Sequence, residues 1–512
     1  MDVARVISRI LAPILVLLAV GCASVPLDTP KVATFAVEDV AYTRAARGVS
    51  DWLGGRSDTQ GFYPLTAGLD AFGARLTLMD GAEVSIDAQY FLMKPDNAGL
   101  VFAAGLLAAA DRGVRVRLLL DDIFTKVDDV DLAMLDDHPK IEVRVFNPIS
   151  RKGLFVLNYL GNFSLANRRM HNKAFIMDNQ IAIVGGRNIA VEYFQLETTG
   201  EFIDFDMLSA GPVVKEVSAQ FDIYWNHELA VPISALFKAK SPQQIEKAAA
   251  GLKEEMLDAG DSIYADAIST PLMKQFYAKA LPPYLAQARL LSDEPQKLLE
   301  EISPDHQIVA REMREVLLET EEEIFIFTPY FLPGKRGMDF VRQLRAKGIR
   351  IILVTNSLAT NNHTAVHSHY SRYRKDLLKA GVELWEARAD AAKIVAEDGE
   401  TSLDRLTLHA KGILIDRNRI FVGSLNLDPR SVEINTEMGL LIESPEMGRR
   451  MTLNAESRVS ATAYRLQLDE NDRITWHAII DGQSVVETSE PQASIWRRIS
   501  AVLQKVVPES QL

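Results

Sequence analysis

Two short stretches of this 512-residue chain carry the same reactive groups in the same order. His171-Asn172-Lys173 is followed by Asp178 and then by Gly185-Gly186-Arg187-Asn188. His409-Ala410-Lys411 is followed by Asp416 and then by Gly423-Ser424-Leu425-Asn426, and the two histidines stand 238 residues apart. A histidine and a lysine at i and i+2 share one face of an extended strand. Two such strands meeting about a pseudo-twofold axis would bring two imidazoles and two ammonium groups to one point. The lysines and the amides of Asn188 and Asn426 are donors suited to phosphate oxygens. One imidazole can attack phosphorus while the other protonates the leaving oxygen. His171, Lys173, Asp178, His409, Lys411 and Asp416 therefore form the candidate catalytic set. Each aspartate lies five residues past its lysine, opposite in parity, so a structural or supporting role is expected for it. A single copy would read as a core histidine and a turn, but two matched copies argue against that.

A reacting imidazole needs its second nitrogen oriented, usually by a carboxylate. Glu437, in Asn435-Thr436-Glu437, lies 28 residues past His409. The matching segment of the first half is Asp204-Phe205-Asp206, and Pro212 and Pro445 fix the register between them. Asp204 is thus expected behind His171, with Asp206 as substitute, and Glu437 behind His409.

The elements that must position these groups are duplicated as well. Residues 83–92 read as a strand entering a loop, and their counterpart at 323–332 follows 240 residues later. A helical stretch follows each and stops at glycine before a β-branched run, in Arg112-Gly113-Val114-Arg115-Val116 and Lys347-Gly348-Ile349-Arg350-Ile351. Strand, helix and strand make a βαβ unit, so parallel strands covered by helices are expected. The expected fold is α/β, built twice, with 46–250 as the N-terminal half, 251–300 as a helical connection and 301–512 as the C-terminal half. The stretch from 212 to 300 is charged and helical in pattern and shows no chemistry.

A chain of this length exceeds one hydrophobic core, and its 47% apolar and 24% charged residues are ordinary for a globular protein. A net charge of −13 weighs against nucleic acid as the partner. The one cysteine, Cys22, excludes disulfides within the chain. Arg5 and Arg9 precede an apolar run, Ile10 to Val20, of 11 residues. A bilayer span needs about 20. The run ends in Leu18-Ala19-Val20-Gly21-Cys22, which resembles a bacterial lipoprotein signal, with Ala19 where leucine is more usual. That resemblance implies removal of 1–21, a lipid on Cys22, a tether over 22–45 and attachment to a membrane facing the periplasm. An uncleaved anchor is the alternative.

Over residues 60 to 470 the paired motifs resemble the phospholipase D superfamily. The resemblance implies a duplicated sandwich whose pseudo-twofold related halves share one active site, with no metal and no cofactor. It also implies a covalent phosphohistidine, resolved by an alcohol or by water. His171 is favoured as nucleophile and His409 as general acid and then base, although both motifs are complete and the residues alone leave the order open. Several longer phrases are more specific: Phe327-Thr328-Pro329-Tyr330-Phe331-Leu332-Pro333-Gly334, Thr355-Asn356-Ser357-Leu358-Ala359, and Gly423 through Ser431 with Asn435-Thr436-Glu437-Met438. Together they look like the C-type bacterial cardiolipin synthases. This implies transfer of a phosphatidyl group to phosphatidylglycerol, with phosphatidylethanolamine as the donor in the type member. A phospholipase D releasing phosphatidic acid is the alternative, ahead of a nuclease or a non-catalytic lipid-binding lipoprotein.

Three further features bear on the substrate. Residues 151–161, with Phe163, Arg168 and Arg169, mix apolar, aromatic and basic side chains just before His171. Such a mixture suits an interfacial loop whose arginines meet anionic headgroups, or else a buried strand-loop. His363, His367 and His369 cluster without cysteine or closely spaced acid, so a substrate-loop or structural role is expected rather than a metal site. Arg372, Arg374 and Lys375 read as a solvated helix face.

Overall fold

A computed structural model describes residues 25–151, 163–196, 201–238, 241–391, 406–506 and 509. Cys22 with its leader, and residues 152–161 of the apolar and basic loop, lie outside the described residues. In chain order the first half supplies β1 (Gln60–Leu65), β2 (Ser85–Tyr90), β3 (Arg115–Asp121), β4 (Ile141–Phe146), β5 (Ala174–Met177), β6 (Ile181–Gly185), β7 (Glu201–Ile203), β8 (Asp206–Ala210) and β9 (Ala230–Pro232). The strands after these are β10 (Tyr284–Ser292), β11 (Glu323–Phe327), β12 (Arg350–Asn356), β13 (Glu383–Ala387), β14 (Leu406–Leu408), β15 (Gly412–Ile415) and β16 (Arg419–Gly423). The last four are β17 (Met438–Glu443), β18 (Ala463–Leu468), β19 (Ile474–Ile480) and β20 (Gln483–Glu487).

The βαβ pattern appears twice. β2, β3 and β4 run parallel, and β5, β6, β8 and β1 continue the sheet antiparallel from β2. β11, β12 and β13 repeat the parallel part, and β15, β16, β17 and β10 the antiparallel part. Gly113 and Gly348 follow the helices Asn97–Asp111 and Gly334–Ala346 at φ +97° and +86°, a left-handed conformation that a side chain would strain. β1 pairs antiparallel with β10, Phe62 opposite Tyr284, and joins both halves into one sheet of 18 strands among the described residues.

Alternation along the buried strands makes two faces. In β3, Leu118 and Leu120 join the core beneath the first half's helices, whereas Leu119 points to a core shared by both halves. In β12, Ile351 and Leu353 face the second half's helices and Ile352 and Val354 the shared core. Val184 and Met207 meet that shared core from one half, Val422 and Leu440 from the other. Each such side chain removed from water contributes about 1.5–3 kcal/mol, so the face between the halves is a principal source of cohesion.

Two expectations about the connections need correction. Residues 31–36, assigned to a tether, lie along the helix Val213–Asn226: Lys31 Nζ donates to Ala230 O at 2.7 Å, Thr34 N–H to Asn226 Oδ1 at 3.1 Å and Ala36 N–H to Asp222 at 2.8 Å. The segment 251–300, expected to be a helical connection, holds the end of the helix Pro242–Ile268 and the helix Pro271–Tyr277, but also the junction strand β10. Between Tyr284 and Ser292 β10 is made of Leu, Ala, Gln and Arg, which favour helix in isolation, and non-local pairing with β1 and β17 overrides that preference.

Candidate active site

Each motif sits in extended chain just before a strand rather than on it: His171 to Lys173 precede β5, and His409 to Lys411 precede β15. Parallel crossings between the halves hold both. Met170 bridges Thr436, with His171 N–H donating to Thr436 O at 3.0 Å and Thr436 N–H to Arg169 O at 3.0 Å. At the symmetry-related place β14 pairs in parallel with β7, and His409 N–H donates to Ile203 O at 2.7 Å. In both crossings the chain bearing a histidine runs beside the chain bearing the other half's acid.

The orienting acids are consequently exchanged relative to the expected pairing. Glu437 lies 2.9 Å from His171 Nδ1, and Asp204 lies 2.6 Å from His409 Nδ1. The acid follows Thr436 or Ile203 by one residue, and the histidine follows Met170 or Leu408 by one, so parallel pairing sets them opposite each other. The repeat shows which residues correspond, and it carries no information on which half each one faces. Asp206, the substitute candidate, instead binds the buried Arg75 at 2.9 Å.

Close neighbours fix both pairs. The Ser424 hydroxyl donates to Glu437, while Gly186 stands in the corresponding place beside Asp204. A Cβ on Gly186 would lie 2.2 Å from Asp204 Oδ1, so only glycine leaves room for that carboxylate. Phe205 N–H donates to Asp204 Oδ1 at 2.8 Å. Phe202 stacks on His409 at 4.9 Å between centroids, Tyr193 meets the same ring edge-on at 5.2 Å, and Phe91 meets His171 at 4.8 Å.

These groups share one electrostatic environment. Burial, reinforced by Lys173, Lys411 and Arg430, holds the His171 imidazole well below its usual range. Burial and then Lys411 bring His409 down to about 3, against the pull of Asp204. Both rings are therefore neutral near pH 7. Burial lowers Lys173 to about 7 and Lys411 to about 8, with the carboxylates opposing it. The acids differ. Burial pushes Glu437 up to about 7 against Lys173 and the Ser424 hydroxyl. For Asp204, burial is outweighed by Lys411 and His409, which hold it below the ordinary carboxylate range. An ionised acid on Nδ1–H leaves the lone pair on Nε2, so the arrangement can present two imidazole nitrogens to one electrophile.

Not every residue of the candidate set is brought there. Asp178 accepts the N–H groups of Val84 at 2.8 Å and Ser85 at 2.9 Å; Asp416 accepts those of Glu322 at 2.8 Å and Glu323 at 3.0 Å. Both sit at φ +50°, in the turn after β5 or β15, and fasten that turn to the start of β2 or β11. Their place among the catalytic residues is corrected: short side chains committed to backbone N–H groups at the far end of the strand do not orient a histidine. Asn188 Nδ2 donates to Tyr193 Oη at 2.9 Å, and among the described residues the amide oxygens of Asn188 and Asn426 have no partner. Half a turn of the Asn188 amide would let Tyr193 donate to Oδ1 and free Nδ2 for an anionic oxygen.

The basic residues near the loop are tied within the chain. Arg169 is buried, 3.5 Å from Asp121; Arg168 donates to Lys297 O at 3.1 Å; Arg151 pairs with Asp122 at 2.6 Å and Asp129 at 2.7 Å. Acids and carbonyls of the chain thus engage these basic groups; among the described residues of this stretch Phe163 is both apolar and exposed. His363 packs on Tyr330, His367 Nε2 lies 2.8 Å from Arg374 and His369 lies 3.8 Å from Glu509. Arg374 is not solvated: it is buried between Glu386 at 2.7 Å and Glu490 at 2.5 Å, while Arg372 and Lys375 are exposed.

Tyr193, Phe202, Ser424 and Arg430 belong to the site although the motif reading did not assign them roles. Tyr193 follows Asn188 by five residues and Ser424 precedes Asn426 by two, so proximity to the motifs was a usable signal for those. Phe202 precedes the candidate acid Asp204 by two residues, but its stacking on His409 is made across the halves and could not be read from that spacing.

A family model described as "Cardiolipin synthase, PLD-like domain" matches residues 76–225 and 313–458. Cardiolipin synthase C of Escherichia coli (strain K12) is 37% identical over 460 residues, which cover 88% of this chain and 95% of that protein. Cardiolipin synthase B of Shigella flexneri is 24% identical over 428 residues, covering 82% of this chain and 81% of that one. Among solved structures, phosphatidylserine synthase from Haemophilus influenzae Rd KW20 shares the fold with a TM-score of 0.56 at 13% identity, over 92% of this chain and 100% of its own. Each matched stretch holds one motif and the crossings join them into a single site, and the chain belongs to the cardiolipin synthase family, with a phospholipase D-like fold present twice.

Proposed function

We propose that this protein is a phosphatidyltransferase of the cardiolipin synthase type, moving a phosphatidyl group from a donor phospholipid to phosphatidylglycerol through a phosphohistidine. The observation that carries this reading is the pair of buried neutral imidazoles, each held at Nδ1 by a carboxylate of the opposite half. Asp204, kept ionised, favours a proton on His409, whereas Glu437, titrating near neutrality, is the weaker anion and leaves His171 uncharged. An anionic phosphodiester arriving between Lys173 and Lys411 raises both rings, and His409 takes up a proton from solvent. His171 Nε2 then bonds to phosphorus as the bond to the donor's headgroup oxygen breaks, and His409 gives its proton to that oxygen. Neutral His409 next accepts the proton of a phosphatidylglycerol hydroxyl, whose oxygen attacks phosphorus and displaces His171. Lys173, Lys411, Asn188 and Asn426 hold the phosphate oxygens throughout.

A lipid on Cys22, holding the body against the periplasmic side of a membrane, completes the proposal and rests on the leader sequence. No helix of the described residues is long and apolar enough to cross a membrane. Incubation with phosphatidylglycerol vesicles, with and without phosphatidylethanolamine, tests the reading. Cardiolipin is the expected product; phosphatidic acid alone would make the protein a hydrolase, and cardiolipin formation undiminished in His171→Ala would refute the mechanism.

A further inference from the structure

The C-terminal helix Ile495–Leu503 turns its large apolar side chains outward. Trp496 is 76% exposed, and Ile495, Ile499, Val502 and Leu503 are exposed beside it. Their spacing of one, four, seven and eight residues from Ile495 puts all five on one face. The other face is docked: Ala501 is buried, and the Arg497 guanidinium donates to Leu358 O at 3.0 Å and Asn361 O at 2.8 Å. Ser494 caps the start by accepting from Arg497 N–H at 3.3 Å, so the helix is firmly built with its apolar face left in water. A contiguous apolar patch of this kind marks an interaction surface.

Charge and position identify the partner. Lys505 and Arg372 are exposed at this end, where Arg372 donates to Lys505 O at 3.0 Å, and the half-buried Arg498 beside them donates to Glu490 O at 2.6 Å and Ala493 O at 3.2 Å. The acids beside them, Glu490 and Glu509, are engaged by Arg374 and by Tyr373. A cationic edge on an apolar helix in a chain of net charge −13 is the complement of an anionic lipid surface. The helix packs on Thr364–Tyr370 and holds the loop Leu358–Asn361. In that loop Thr360 O accepts from Thr407 at 2.8 Å, two residues before His409, and Tyr330 Oη binds Asn362 at 2.9 Å. One helix and one loop therefore connect the exposed face to the rim of the site.

We propose that the helix Ile495–Leu503 inserts Trp496 and its apolar neighbours into the headgroup and acyl boundary of a bilayer containing anionic phospholipid, holding the second half's rim of the site against the lipid surface. The proposal rests on the phosphatidyl-transfer reading for its purpose, while the exposed face and its basic edge stand independently of that reading. The test uses the full-length protein with vesicles of phosphatidylglycerol and phosphatidylcholine whose acyl chains are brominated. Tryptophan fluorescence is expected to be quenched, and Trp496→Phe to remove that quenching, whatever else attaches the protein to the vesicle. Ile499→Glu with Val502→Glu should lower cardiolipin formation on vesicles by about tenfold or more, a loss equivalent to about 1.4 kcal/mol or more of membrane binding. The same variant should keep its activity on those lipids dispersed in detergent. Absence of Trp496-dependent quenching in protein that still makes cardiolipin on vesicles would overturn the proposal. So would a lipid-free dimer, seen by ultracentrifugation and abolished by the double variant, which would assign the face to a second copy. Quenching without any phosphatidyl transfer would support the helix as a membrane contact and defeat the enzymatic reading instead.

Discussion

At the residue scale the exchanged acids make the sharpest demands. Asp204→Asn withdraws the anion behind His409, and Glu437→Gln the one behind His171. Either change should cost roughly 10²–10⁴ in kcat, the range seen when an imidazole loses its orienting carboxylate. A double-mutant cycle should find Asp204 strongly coupled to His409 and weakly to His171; strong coupling within the first half would contradict the crossed pairing. The pH dependence of kcat/KM follows from the same groups. Glu437 must be ionised to accept from Nδ1–H, so activity rises as pH passes about 7. Lys411 must be charged to hold phosphate, so activity falls again above about 8, and Lys173, lowered to about 7, narrows the plateau. Glu437→Gln should abolish the rising limb; an unchanged acid limb in that variant would assign it elsewhere. The motif histidines, lysines and both acids were legible from their repetition. Their partners were not, because a repeat aligns the halves with each other without stating how they meet.

At the scale of elements, Asp178 and Asp416 work as clasps between a turn and the next strand. Asp178→Ala leaves buried N–H groups without an acceptor and should lower stability by about 1–3 kcal/mol, read from urea unfolding, while the folded variant keeps most of its kcat. Loss of activity with unchanged unfolding would return Asp178 to the catalytic set. Gly186→Ala should do the reverse. Its Cβ would stand 2.2 Å from Asp204 Oδ1 and push that carboxylate off His409, so kcat should fall with little change in KM. The βαβ units were readable because strand and helix periods and the glycine stops agree locally. The junction strand β10 was not, since helix-favouring residues are held extended by pairing with β1 and β17. The docked segment 31–36 was likewise hidden, because its contacts are to carbonyls and side chains about 190 residues away.

At the scale of the whole molecule, two complete motifs make one site, because each half supplies the acid that the other half's histidine needs. Asp204 is held below the ordinary carboxylate range and Glu437 is pushed up to about 7, so the two halves are not equivalent, and in the proposed mechanism it is His171 that attacks. One phosphatidyl group should therefore accumulate per chain, although both histidines are chemically able to carry one. The most direct test is to quench a His409→Ala variant during turnover of phosphatidylglycerol and map the adduct by mass spectrometry. The account predicts a single phosphatidyl group on His171, with none formed in His171→Ala. An adduct on His409 in the His171→Ala protein, or two adducts on the wild-type chain, would contradict it.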